Sequence, residues 1–84
     1  MAHTVILRRT AERELNQLPE NVHQRIMRKL LELENNSRPH GIQKLHGHDG
    51  YRIRIGDYRV LYLINDETRT VEVIAVGHRR EVYR

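Results

Sequence analysis

The chain has 84 residues, enough for one small domain with a modest core. It carries 15 basic and 11 acidic residues, for a net charge of +4 and a pI near 10. It has no cysteine, which excludes disulfides and thiolate metal sites. Its first apolar run, Val5-Ile6-Leu7, is too short for a signal peptide or a membrane span, so a soluble, cytoplasmic protein with no membrane partner is expected.

That Val5-Ile6-Leu7 run, within His3 to Arg8, reads as a first short strand. Thr10 is the expected N-cap of a first helix, in which Ala11, Leu15 and Leu18 recur at helical spacing until Pro19 breaks it. A second helix is expected from about Glu20 to Glu34. Its stripe is Val22, Ile26, Leu30 and Leu33, widened by Met27 and Leu31. Asn35-Asn36-Ser37 ends it. Two helices joined at a proline form a helical hairpin suited to covering one face of a sheet.

Ser37 to Gly50 reads as a polar loop, tacked to the core by Ile42 and Leu45. Three strands follow, at Tyr51–Ile55, Tyr58–Asn65 and Thr70–His78. The expected order is β-α-α-β-β-β over residues 1–84. This is an α+β domain with a helical hairpin packed on one face of a small, largely antiparallel four-stranded sheet.

Gly56-Asp57 is a two-residue loop with Gly first, which suits a type II′ turn and fixes the hairpin register. Ile55 then faces Tyr58, Arg54 faces Arg59, Ile53 faces Val60, Arg52 faces Leu61 and Tyr51 faces Tyr62. Side chains alternate between faces. Tyr51, Ile53, Ile55, Tyr58, Val60, Tyr62 and Ile64 fall on the face toward the helices. Arg52, Arg54, Arg59, Leu61 and Leu63 fall on the other. Like charges directly opposite one another on a sheet are destabilising, and this face of the hairpin has no acid to balance them. Three converging arginines above a floor of leucines therefore predict an anion pocket.

Arginine suits that role. Its planar fork matches phosphate in a bidentate way and stacks on bases. Thirteen of the fifteen basic residues are arginine, the exceptions being Lys29 and Lys44. A basic domain of this size points to nucleic acid or an acidic protein as partner. The third strand ends in Val76-Gly77-His78-Arg79-Arg80-Glu81-Val82-Tyr83-Arg84. His78, Arg79 and Tyr83 are expected to form the second wall of the pocket. Histidine moves protons near neutral pH, and tyrosine stacks on a base. His46-Gly47-His48, with only Asp49 nearby, is a weak metal pattern, and no metal or other cofactor is expected. His3 and His23 read as ordinary surface residues.

The segments Lys44–Gly47 (KLHG), Tyr51–Tyr62 (YRIRIGDYRVLY) and Val76–Tyr83 (VGHRREVY) together resemble the RelE/ParE superfamily of bacterial type II toxins, nearest its RelE branch. The resemblance extends over the whole chain in element order. It implies a fold similar to small microbial ribonucleases. It also implies a metal-independent, ribosome-dependent messenger-RNA endonuclease, held inactive by a RelB-like or other antitoxin. Through that antitoxin the complex would bind DNA. The family's basic pair on one strand falls on Arg52 and Arg54, a further arginine on Arg59, an arginine after the last strand on Arg79, and a C-terminal tyrosine on Tyr83. Lys44, His46 and Arg80 are expected to touch RNA.

The implied reaction is attack of an RNA 2′-hydroxyl on the adjacent phosphorus. It needs a base, cations for the growing charge, and an acid for the leaving oxygen. Arg54 and Arg59 would clamp the phosphate, Arg52 would neutralise a neighbouring one, and Arg79 would act on the leaving-group side. Several relatives have lysine where this chain has Arg52 and Arg54, and arginine stays protonated. The base is therefore open, with His78 and Glu81 as candidates. Two alternatives stand beside this reading. One is a ParE-like inhibitor of DNA gyrase; the other is a catalytically weak RNA-binding relative.

Overall fold

The computed structural model describes residues 2–45 and 50–78. In chain order the elements are β1 (Thr4–Leu7), α1 (Arg9–Asn16), α2 (Glu20–Asn35), β2 (Gln43–Lys44), β3 (Gly50–Ile55), β4 (Tyr58–Asn65) and β5 (Thr70–His78). They form one five-stranded sheet in the order β1-β5-β4-β3-β2. β1 runs parallel to β5, and every other pairing is antiparallel. The α+β class is as expected. The strand count is not, because the polar loop contains β2. Two residues carry no readable alternation; pairing with β3 makes them a strand, Gln43 opposite Arg52 and Lys44 opposite Tyr51.

The helices begin differently from expectation. Arg8, not Thr10, caps α1; its backbone is extended, and Thr10 lies inside the first turn. The Arg8 carbonyl accepts the Glu12 N–H at 2.9 Å, while its Nε donates to Glu72 of β5 at 2.7 Å. A side-chain tie to the sheet thus fixes the helix start where a local cap was expected. α2 starts directly after Pro19, whose fixed φ of −54° and extended ψ suit the entry.

Ala11 and Leu15 of α1 and Val22, Ile26, Leu30 and Leu33 of α2 meet Ile53, Ile55, Val60, Tyr62, Val71, Val73 and Val76 of the sheet in one buried core. Met27, Leu18 and Ile42 pack at its edge. Leu31 does not: it is 59% exposed, one helical step too far round to reach the sheet. Tyr62 is fully buried, and its hydroxyl donates to the Ser37 carbonyl at 3.1 Å, anchoring the chain just after α2. Burial pushes its pKa up to about 12, with neighbouring Tyr51 adding to the shift.

β5 shows a second feature the alternation does not reveal. Leu61 pairs with Ala75 but Tyr62 with Val73, so one extra residue bulges between them. β1 pairs only with the first part of β5, up to Val73. Beyond it, the Val76 N–H donates to the Glu14 carboxylate of α1 at 3.0 Å, so a helix side chain covers this open edge.

Far from the β3–β4 turn, a polar clamp closes the other end of the sheet. Arg38 donates to both Asp66 oxygens, at 3.2 and 2.9 Å, and lies 5.6 Å from the Tyr51 ring centre. His3 Nε2 stands 3.3 Å from the same carboxylate, with its side chain 13% exposed, so it is a clamp member rather than an ordinary surface residue. The hydrogen bonds from Arg38 and then His3 hold the Asp66 carboxyl below its ordinary pKa, and the bond to Asp66 raises that of Arg38.

Candidate functional site

The β3–β4 register is the expected one at every pair from Tyr51–Tyr62 to Ile55–Tyr58. Gly56 has φ +62°, and Asp57 is not among the positive-φ residues, which is the type II′ signature with its left-handed residue first. The turn therefore brings Arg54 directly opposite Arg59 and Arg52 opposite Leu61, on the face away from the core.

These three arginines line a cavity of about 200 Å³ together with Gly41 and Gln43. That is smaller than the roughly 300–1,000 Å³ of ordinary small-molecule pockets, and suits one phosphodiester better than an enclosed nucleotide. Leu61 and Leu63 lie half-buried on this face but do not line the cavity, so the expected leucine floor is replaced by a polar wall. That wall comes from the segment leading into β2. Gly41 has φ +93°, a backbone conformation that residues with a Cβ rarely adopt, and Gln43 sits across from Arg52. Neither residue carries a charge or an alternation pattern, so neither stood out in the sequence.

The like-charge problem is partly resolved within the chain. Arg54 Nε donates to the Gly56 carbonyl at 2.9 Å, which ties one guanidinium to the turn. Arg59 is held differently: its Nε and Nη1 are buried, and its β5 neighbour is Gly77, which has no side chain to crowd it. A guanidinium shielded at two of its nitrogens loses little freedom on meeting an anion. On the neighbouring strand β5, the acid, Glu72, pairs across from Leu63 and is engaged by Arg8.

Two expected site residues lie elsewhere. His78 pairs with Tyr58, and the rings meet edge to face with centres 5.6 Å apart. Because Gly77 is the residue aligned with Arg59, alternation sends His78 to the opposite face of the sheet. Lys44 pairs with Tyr51 on that same opposite face, and Gln43 takes the cavity side. His46, Arg79, Arg80 and Tyr83 lie outside the described residues, as do Glu81 and the His48–Asp49 half of the weak metal pattern. Among the described residues no group of three or more His, Cys, Asp or Glu side chains is placed to hold a metal, and no helix is long and apolar enough to cross a membrane.

The arrangement resembles known proteins closely. Over residues 5–83 the chain matches the family described as the ParE toxin of the type II toxin–antitoxin system parDE. It is 47% identical to the toxin RelG of Mycobacterium tuberculosis over 34 residues, which span 40% of this chain and 39% of RelG. Among solved structures, the M. tuberculosis RelBE2 toxin–antitoxin complex superposes with a TM-score of 0.84 at 29% identity, covering 94% of this chain and all of the matched one. The archaeal RelE–RelB complex of Pyrococcus horikoshii gives 0.86 at 27% identity, over 98% and 100%. The intact Escherichia coli RelBE complex gives 0.81 at 31% identity, over 92% and 96%. With the fold and nearly the whole length in agreement, the chain belongs to the ParE toxin family of type II toxin–antitoxin systems, within the RelE/ParE superfamily.

Proposed function

We propose that this toxin is an endoribonuclease that cleaves messenger RNA on the ribosome and is silenced by a cognate antitoxin. The observation that carries the reading is the convergence of Arg52, Arg54 and Arg59 on one small cavity of the open sheet face. A protein that acts only by binding gyrase has no need to gather like charges around a phosphate-sized space, at a cost to the hairpin.

In the proposed reaction the RNA 2′-oxygen forms a bond to phosphorus as the bond from phosphorus to the 5′-oxygen breaks. The products are a 2′,3′-cyclic phosphate and a 5′-hydroxyl. Arg54 and Arg59 face each other across the hairpin and hold the non-bridging oxygens as charge grows on them. Arg52 neutralises a neighbouring phosphate. The described residues lining the cavity include neither a carboxylate nor an imidazole. This part of the chain therefore supplies charge stabilisation and positioning rather than proton transfer. On the family resemblance alone, Arg79 and Tyr83 are assigned to the leaving-group side and to stacking on the nucleotide. His78, on the opposite face, is set aside as the base.

The RelB antitoxins in the similar complexes support a protein antitoxin as partner. The test is to map cleavage in a translating extract by primer extension, beside a gyrase supercoiling assay. Ribosome-dependent cuts that Arg52→Ala and Arg54→Ala weaken, with supercoiling unaffected, support the proposal. Inhibited supercoiling with intact messenger RNA overturns it.

A further inference from the structure

Beyond the arginine cavity, the turn between β3 and β4 shapes a second, more open one. Its volume is about 490 Å³, and Arg25, Arg54, Gly56, Asp57 and Tyr58 line it. Arg54 belongs to both cavities, so they meet at one guanidinium. We propose that this second cavity is a nucleotide subsite of the RNA-cleaving site. In it, a base next to the scissile phosphate stacks on Tyr58, and that nucleotide's own phosphate bridges Arg25 and Arg54. The inference rests on the endoribonuclease reading above.

Three features point to a nucleotide. The first is size: this cavity lies within the range that holds a small molecule, whereas the arginine cavity does not. The second is how Arg25 arrives. It comes from α2 and lies against the turn, with Nη2 3.1 Å and Nη1 3.4 Å from where a Cβ on Gly56 would stand. Glycine at this position thus both permits the left-handed turn and leaves room for the guanidinium. Arg54 Nε is committed to the Gly56 carbonyl, so its two Nη groups remain as the fork that meets an anion.

The third feature is the mix of chemistry. Asp57 offsets one of the two positive charges, which weakens the site for a bare anion and disfavours an acidic peptide. A nucleotide uses all four side chains. Its phosphate takes the arginines, its base stacks on Tyr58, and a ring N–H or amino group donates to Asp57. Tyr58 is held by the packing of its ring against the core and against His78. That gives His78 a positioning role on this side of the sheet.

The experiment uses the full chain and two single-stranded RNAs, 2′-O-methylated to block cleavage: a dinucleotide and a tetranucleotide. Binding is read by fluorescence anisotropy over a range of salt. Arg25 is exposed, so Arg25→Gln removes no core contact. It should weaken the tetranucleotide several-fold, lower the log–log salt slope by about 0.7, and leave the dinucleotide unchanged. Tyr58→Leu keeps an apolar side chain but removes the stacking face, and should weaken the tetranucleotide by about fivefold or more. If wild type binds both RNAs and Arg25→Gln changes neither affinity nor slope, the subsite is overturned while the endoribonuclease reading stands. If wild type binds neither RNA, the subsite is overturned, and the endoribonuclease reading is judged separately by the ribosome-dependent cleavage assay.

Discussion

The two faces of the β3–β4 hairpin come from one alternating sequence and do opposite work. One face sends Ile53, Ile55, Val60 and Tyr62 into the core, all less than 10% exposed. The other presents Arg52, Arg54 and Arg59 around a cavity, and α1 and α2 pack on the opposite side, in the core. Each residue step along the strand switches between holding the fold and meeting a ligand. Stability and function are therefore separable here by face, although they share the same strands.

The largest effect expected on the covered side is that of Leu33→Ala, in the α2 stripe that belongs to the same buried core as the covered face. Leu33 is completely buried, and its loss should cost about 2–5 kcal/mol in urea denaturation. RNA binding per folded molecule should be unchanged. Next is Arg59→Ala on the open face, expected to slow RNA cleavage by roughly 10²–10³-fold, as removal of one preorganised charge stabiliser does. Stability should move by less than about 1 kcal/mol, because relief of the clash with Arg54 offsets the lost packing of the arginine stem. A large stability loss with Arg59→Ala, or a binding loss with Leu33→Ala, would break the separation.

Smaller effects sharpen it. Tyr62→Phe removes the buried bond to the Ser37 carbonyl and should cost about 1 kcal/mol at neutral pH. It should also change the alkaline limb of the stability curve. The folded state favours the protonated phenol, so its contribution is complete below pH 10.0 and is lost as pH rises toward about 12. Without that phenol, the variant should lose less stability over the same interval.

The smallest change expected is at Asp66, whose folded pKa is depressed by Arg38 and His3. Its contribution is present above the ordinary carboxylate range and lost as pH falls through the folded pKa. Thermal midpoints between pH 7 and pH 3 should fall less steeply for Asp66→Asn than for wild type. Catalysis should not distinguish the two proteins, since the clamp lies at the far end of the sheet from the arginines.

Much of this was legible in the chain itself. Gly-Asp between two alternating runs specified the turn, the turn specified the register, and the register specified which arginines meet. What escaped was decided by contacts distant in sequence. β2 exists because β3 offers it partners, Arg8 starts α1 because Glu72 reaches it, and Glu14 covers a strand edge left open by the shortness of β1. At the site, Gly41 and Gln43 went unnoticed because an uncharged cavity wall has no periodic signature. His78 was grouped with the arginine cavity through its sequence neighbours Arg79 and Tyr83. Alternation, applied one residue further than the hairpin, sends it to the other face.

The measurement that tests the central claim most directly is cleavage of end-labelled messenger RNA by the purified protein. Wild type and Arg59→Ala would be compared with and without translating ribosomes, and unfolding midpoints taken on the same samples. The account predicts ribosome-dependent cuts by wild type, their loss with Arg59→Ala, and closely similar unfolding midpoints. Equal cleavage by both proteins, or no cleavage by wild type with ribosomes present, would contradict it.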